Sequence, residues 1–546
     1  MILRRQLTLL FLAQAALLAV AAGRNAHQLN PDAIAYCRIA GYYAAGQMDL
    51  AVSGYWGPLL SWLMVPLVKL GLAPLAAARV VMAASGVVFL AGAVGVFRAF
   101  RLPPRALLAG AGIAAAWSVF WSVRNISPDL LMAGLAGLAI AATLQALLVP
   151  VAATTSAQRR AIAAGMWWGV AYLAKAVALP WAVLVTAGFA LFAAAGRADL
   201  RRAVAGRLGV MWLCLGLVAG PWIAALSLHY GKFTFSTTGP IAHALAGPGE
   251  ASRYHPAMVT LHAPDGGRVT QWEEPSRMEY RFWSPLAGPL AWQHQLRVLQ
   301  GNVGIMTNWL LPADAWLHGG ELPAWRRWLG TFDFVGLAAV ALGITGLGLI
   351  RQLGGLRRVR LLWAWVPVAT LAGLYLPFFV MAEDNRYFYP LWPCLWLLTV
   401  AARSKSAGPA TLGQRRWGFR VIVFSFALPA VLWCGAALRG LPNPAAATAR
   451  GLAAAFRAEG VTGPFAGSGP LPGGRTGLYT AFLVGGRWLG DDPRGGPEEF
   501  ARAGARVVFV RAGTGQFERF SRAAGWSERL PGDSGEVRVF LHEIPH

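Results

Sequence analysis

The chain has 546 residues, 13% of them charged and 56% apolar, with 24 tryptophans. So low a charge content excludes an ordinary soluble globular protein, and repeated apolar runs of about 17 to 23 residues match the length of a helix that crosses a hydrocarbon core. The net charge of +24 invites a nucleic-acid reading, but its placement along the chain points to membrane topology instead.

The first element is an apolar run to Ala22 behind Arg4 and Arg5. No clear cleavage site follows it, so it is expected to stay as a first helix rather than be removed as a signal peptide. Ten further spans are expected at roughly 75 to 97, 106 to 123, 129 to 149, 161 to 177, 179 to 195, 208 to 226, 330 to 350, 361 to 381, 387 to 402 and 419 to 438,. The apolar stretch from Ala161 to Ala195 is split near Lys175 and Pro180.

Those eleven spans sort the basic residues. With a cytoplasmic N-terminus, the inner segments hold Arg4 and Arg5; Arg98, Arg101 and Arg105; Arg159 and Arg160; Arg197, Arg201, Arg202 and Arg207; Arg351, Arg357, Arg358 and Arg360; and Arg403, Lys405, Arg415, Arg416 and Arg420. That is twenty basic residues against one acid, Asp199, so most of the net charge is a topology signal,. Four scattered cysteines, Cys37, Cys214, Cys394 and Cys434, form no disulfide framework and no CxxC site,.

The expected fold class is therefore mainly α: a polytopic transmembrane helical part, residues 1–441, and a small extracytoplasmic α/β domain, residues 442–546. Outer loops are expected at 23–74 and 227–329. In the first, Asp32 to Ala45 and Trp56 to Leu72 have helical apolar spacing and suit helices lying along the interface. In the second, Asn308 to Pro312 suits an interfacial helix or a packed turn. The tail carries twelve arginines and ten acids, a soluble composition. Helices are expected near Ala445 to Glu459 and Thr476 to Val484, and strands over Arg506 to Val510 and Val537 to His542.

Ionisable groups at membrane level are costly and are functional candidates by default. Asp32 follows the first span in Asn30-Pro31-Asp32, Asp129 opens the fourth after Ser127-Pro128, and Glu383 and Asp384 open a short loop that continues Asn385-Arg386-Tyr387. Lys175, one of four lysines, falls at the turn between the fifth and sixth spans. All of them meet the same outer boundary. Each also has a plainer role: Asp32 and Asp129 suit helix starts, Arg386 suits an ion pair with Glu383 or Asp384, and Lys175 suits an interfacial turn. Nine histidines fall on the outer side without HxH or HExxH spacing, which leaves zinc hydrolysis unsupported.

Taken in order, the outer Asp32, Gly54-Tyr55-Trp56-Gly57-Pro58-Leu59-Leu60, Ser127-Pro128-Asp129, Ala171-Tyr172-Leu173-Ala174-Lys175 and Arg386-Tyr387 with Pro390 and Pro393 resemble the GT-C membrane glycosyltransferases. Within them the chain is most similar to glycosyltransferase family 39, the branch of the protein O-mannosyltransferases and lipid A aminoarabinose transferases. The resemblance covers roughly residues 1 to 400.

It implies an enzyme of the cell envelope, in a bacterial inner membrane, that takes a sugar from a polyprenyl-phosphate donor and passes it to a lipid, glycan or protein acceptor, with no nucleic-acid partner. It implies Asp32 as the acid-base residue, with Asp129 beside it, and Lys175, Arg386 and Arg79 as cations for the donor phosphate. Tyr36, Tyr55, Trp56, Glu383, Asp384 and Tyr387 would line the substrate; Tyr387 equally suits an aromatic belt. Many relatives have an acidic pair after the first span where this chain has Asp32-Ala33, so a divalent metal is an open question and no other cofactor is implied. A polyprenyl-linked lipid transporter or flippase is the rival reading. It would place ionisable groups near the midplane and show inverted repeats, whereas these acids gather at one boundary.

Overall fold

A computed structural model describes residues 2–148, 154–194, 198–248, 255–256, 259–309, 356–377, 385–406, 412–469, 473–529 and 536–543. The helices in chain order are α1 Ile2–Arg24, α2 Pro31–Ala44, α3 Met48–Ala51, α4 Pro58–Lys69, α5 Pro74–Ala99, α6 Pro104–Arg124, α7 Asp129–Leu147, α8 Thr154–Ala174, α9 Ala178–Ala194, α10 Ala198–Tyr230, α11 Thr238–Leu245 and α12 Pro289–Trp309. Leu356–Tyr375, Trp392–Ser406 and Leu412–Arg439 follow. Five helices among the described residues are long and apolar enough to cross a membrane, and the chain is an integral membrane protein of mainly helical fold.

Proline opens α2, α4, α5 and α6, where its missing N–H costs no helical bond. The apolar stretch expected to divide near Lys175 does so: α8 ends at Ala174, and α9 begins at Ala178. α2 and α4, of 14 and 12 residues, are too short to cross a bilayer at about 1.5 Å per residue. α10 differs from its expected bounds. It runs for 33 residues, so Arg201, Arg202 and Arg207, expected in an inner loop, lie on its first turns. The expected span at 330 to 350 lies outside the described residues, as do Pro312 and its neighbours after Trp309.

Small residues let the central helices approach. A Cβ on Gly92 of α5 would stand 2.3 Å from the Gly134 carbonyl of α7, and one on Gly134 2.6 Å from the Phe89 amide. This backbone contact replaces side-chain interdigitation, as is common where the solvent is lipid. Buried Gln14 of α1 donates through Nε2 to the Gly86 carbonyl at 2.9 Å and to Ser118 Oγ at 2.7 Å, joining α1 to α5 and α6. At the end of α1, the Asn25 amide donates to the Ala437 carbonyl at 2.7 Å and accepts from the Leu441 amide at 2.7 Å. The start of the chain is thereby pinned to the last long helix and to the start of the tail.

The tail opens with the helix Pro444–Ala458 and builds a five-stranded sheet in the order β2-β1-β3-β5-β4. The strands are β1 Phe465–Gly467, β2 Trp488–Asp491, β3 Val507–Arg511, β4 Trp526–Arg529 and β5 Val537–His542. β1 lies parallel to β2 and β3, and β5 antiparallel to β3 and β4. Val507 to Val510 are all buried, as expected of a strand covered on both faces. Of these strands, β3 and β5 match the sequence expectation. The edge of β2 is covered by the segment between α11 and α12: the Trp488 amide donates to the Val269 carbonyl at 2.7 Å, and the His262 amide to the Leu489 carbonyl at 2.6 Å. Covering an exposed edge in this way satisfies its backbone groups.

Candidate functional site

Two turns carry the acids. Asn30-Pro31-Asp32 opens α2 and Ser127-Pro128-Asp129 opens α7. Asn30 sits at the N-cap of α2 but makes no side-chain cap bond. Its Nδ2 instead donates to the Ile126 carbonyl at 3.3 Å, and its Oδ1 accepts from the Ile126 amide at 2.9 Å. The paired bonds clamp the two turns together and bring both carboxylates to one place.

Cations from two distant segments meet them there. Arg386 lies in the 3₁₀ segment Asn385–Leu391; its Nη1 bonds Asp32 Oδ2 at 2.6 Å and its Nε stands 3.8 Å from Asp129 Oδ2. Lys175, freed from the helix by the break after Ala174, forms an ion pair with Asp129 Oδ1. The result is a linear circuit of alternating charge, Asp32–Arg386–Asp129–Lys175, in which Asp32 and Lys175 are its two ends. Pairing of this kind is what makes ionised groups tolerable at membrane depth. Access is uneven. The Asp129 side chain is 1% exposed, whereas those of Asp32 and Arg386 are each 15% and that of Lys175 is 18%. Asp32, Arg386 and Lys175 are thus the more accessible three of the four, and Asp129 is the most buried.

Tyr387 stands between the cations, its ring centroid 4.0 Å from Lys175 Nζ and 5.3 Å from Arg386 Cζ. Its hydroxyl lies 3.5 Å from Arg386 Nη2. The other aromatic candidates form a wall. Tyr36 packs edge-on to Trp56 at 5.1 Å and Tyr55 to Trp56 at 4.8 Å. The segment between α11 and α12 completes that wall with Trp272, whose carbonyl accepts from Trp56 Nε1 at 3.1 Å. His255 joins it too, with Nε2 3.0 Å from the Tyr55 hydroxyl. Burial holds the His255 imidazole neutral, with a pKa lowered to about 3,.

Arg79 is placed elsewhere. It is 4% exposed, its Nη1 donates to the Val123 carbonyl at 3.1 Å and its Nη2 to the Gln28 carbonyl. Two backbone carbonyls at the ends of α1 and α6 take up this guanidinium, so it braces the turns rather than joining the circuit. Glu383 and Asp384 lie outside the described residues. Asn30, Trp272 and His255 were not expected from the sequence: an asparagine before proline has the appearance of a helix cap, and nothing local marks a loop aromatic as part of a distant wall.

Among the described residues no group of three or more His, Cys, Asp or Glu side chains is placed to hold a metal ion. Asp32 and Asp129 each face a protein cation.

No protein-family model matches the sequence, and no curated protein sequence does. Solved structures do match. ArnT from Cupriavidus metallidurans bound to undecaprenyl phosphate is similar at a TM-score of 0.58 and 15% identity, over 98% of this chain and 97% of that one. Its apo state gives 0.57 over the same shares. The arabinofuranosyltransferase AftD from Mycobacteria is similar at 0.50 and 15% identity, over 98% of this chain and 40% of that one. The chain shares its fold with ArnT over nearly the whole length of both, as the resemblance carried by the motifs leads one to expect.

Proposed function

We propose that the chain is a membrane glycosyltransferase that moves a sugar from a polyprenyl-phosphate donor to an acceptor hydroxyl or phosphate on the outer side of the inner membrane. The observation that carries this reading is the position of Arg386, bonded to Asp32 at 2.6 Å and within 3.8 Å of Asp129. A partly exposed carboxylate beside partly exposed cations is the pairing that transfer from a phosphate leaving group needs. The fold shared with ArnT, seen with undecaprenyl phosphate, supports a prenyl-linked donor. In this reading residues 1–441 are the catalytic membrane part and 442–546 an extracytoplasmic domain, with the N-terminus cytoplasmic.

In the proposed step the acceptor oxygen attacks the anomeric carbon from the face opposite the phosphate and forms the new glycosidic bond. Its proton passes to Asp32, and the carbon–oxygen bond to the phosphate breaks with its electron pair leaving on polyprenyl phosphate, which inverts the configuration. A hydroxyl is a weak nucleophile, and a positioned base contributes about 10²- to 10⁴-fold. The departing phosphate gains charge, which Lys175 stabilises as a point charge and Arg386 through its planar fork. A donor phosphate also competes with Asp32 for the Arg386 guanidinium, so donor binding releases the carboxylate that must take the proton. Asp129, the most buried of the four and held by both cations, is a positioning residue here.

Reconstituting the purified protein with a polyprenyl-phosphate monosaccharide and an extract of envelope acceptors tests this. Release of free polyprenyl phosphate with a glycosylated product supports transfer. Movement of intact donor between leaflets without its cleavage would replace it with the transporter reading.

A further inference from the structure

We propose a second anion site, away from the Asp32 circuit, that takes a phosphate ester in a cavity between the turn joining α2 to α3 and the loop around Arg268. The cavity has a volume of about 530 Å³ and is lined by Gly46 to Leu50, Gly266, Arg268 and Arg277, a size that suits a small ligand rather than a lone ion.

Arg268 carries the argument. It is 1% exposed, yet its Nη2 reaches only the outer limit of a bond to the Asp49 carbonyl at 3.5 Å, and its Nε and Nη1 have no partner among the described residues. Arg79, at 4% exposure, shows the contrast: this buried arginine spends both Nη nitrogens on carbonyls and only its Nε is without a partner among the described residues. Burying a cation without a partner is costly, and Arg268 bears that cost beside an open cavity. Its position is set by a tight turn in which Gly266 and Gly267 have φ of +58° and +90°, closed by the Arg268 amide donating to the Asp265 carbonyl at 3.1 Å. Side chains other than glycine adopt such angles poorly.

Arg277 adds a second cation to the lining. It is held by Asp265 at 3.8 Å, with the two side chains 40% and 56% exposed, and a loose exposed pair of this kind contributes little and yields to a better anion. Met48, 56% exposed, and Leu50 supply an apolar side to the same cavity. The one acid in the lining, Asp49, is exposed and is outnumbered by the two arginines, which with the apolar flank match a phosphate joined to a carbon skeleton. Such a group can belong to a lipid headgroup or to a soluble ester. The site does not depend on the transferase reading.

The test uses the full chain in neutral detergent, with glycerol phosphate as the soluble probe, and in phosphatidylcholine nanodiscs with or without phosphatidylglycerol. Thermal unfolding is compared for the wild type, Arg268→Gln and Arg277→Gln. Without a probe, Arg268→Gln should be at least as stable as the wild type, because it removes an uncompensated charge. Glycerol phosphate, phosphatidylglycerol or both should raise the wild-type melting temperature, and the response that occurs names the source. Apparent affinity should fall about tenfold in each variant. The proposal is overturned if neither probe stabilises the wild type, or if both variants respond as the wild type does, which would place the anion elsewhere. Exposed Arg277 keeps the test decisive should Arg268→Gln fold poorly.

Discussion

Asn30 pairs with Ile126 in both directions, its amide donating to the Ile126 carbonyl at 3.3 Å and accepting from the Ile126 amide at 2.9 Å. The two residues lie 96 positions apart, and their contact sets the spacing of the Asp32 and Asp129 turns. Asn30→Ala leaves the Ile126 amide and carbonyl without these partners, at a cost of about 1–3 kcal/mol per buried group. Displacing one carboxylate by about 1 Å is expected to lower turnover about 100-fold. Steady-state kinetics of a folded Asn30→Ala protein check this; unchanged turnover would show that the clamp does not align the acids.

The circuit should behave as a unit. Lys175→Met leaves Asp129 buried with Arg386 as its remaining cation, and breaking a buried pair costs about 3–5 kcal/mol. Adding Asp129→Leu should recover most of that stability while transfer stays lost, a non-additive result that thermal unfolding and activity measured together will reveal. Arg386→Lys keeps the charge but loses the planar fork that stabilises the departing phosphate, so kcat/KM for the donor should fall about tenfold with a matching fall in kcat.

Gly57 is where α4 meets the end of α8. A Cβ there would stand 2.2 Å from the Ala174 carbonyl, a rigid backbone atom directly before Lys175. Gly57→Ala is expected to destabilise by about 1–3 kcal/mol through overpacking and to weaken donor binding by displacing the lysine. Melting temperature and donor affinity should fall together; a loss of melting temperature alone would separate this contact from the site.

The outer wall should loosen in acid. The His255 pKa is lowered from 6.5 to about 3 by burial, so the folded state binds this proton less well than the unfolded chain. The stabilisation is complete above about pH 6.5 and is lost as pH falls from there toward 3. Tryptophan fluorescence of the Trp56 and Trp272 wall, followed against pH, should show this acid limb, and His255→Gln should remove it. An acid limb unchanged in the variant would assign it to another group.

Much of the fold was legible because bilayer thickness and helical rise bound the length of an apolar run, and because Lys175 and Pro180 interrupt one that is too long. What apolar runs mark is the extent of hydrocarbon, not of helix. α10 therefore begins well before its apolar part, with Arg201, Arg202 and Arg207 on its first turns. The acids were legible one by one, since few charges occur at membrane level. Their partners were not. Arg386 and Asp32 are 354 positions apart, and the local sequence offers Arg386 the nearer Glu383 and Asp384. Arg79 and Arg268 are likewise alike in sequence and differ only in what surrounds each guanidinium.

In the proposed step Asp32 takes the acceptor proton, and Asp32→Asn tests that role most directly, since the amide keeps the shape and still accepts a bond from Arg386. Transfer from polyprenyl-phosphate sugar by the reconstituted variant should fall at least about 100-fold, with binding of polyprenyl phosphate and the melting temperature close to those of the wild type. Full turnover by Asp32→Asn would contradict the assignment of Asp32 as the base.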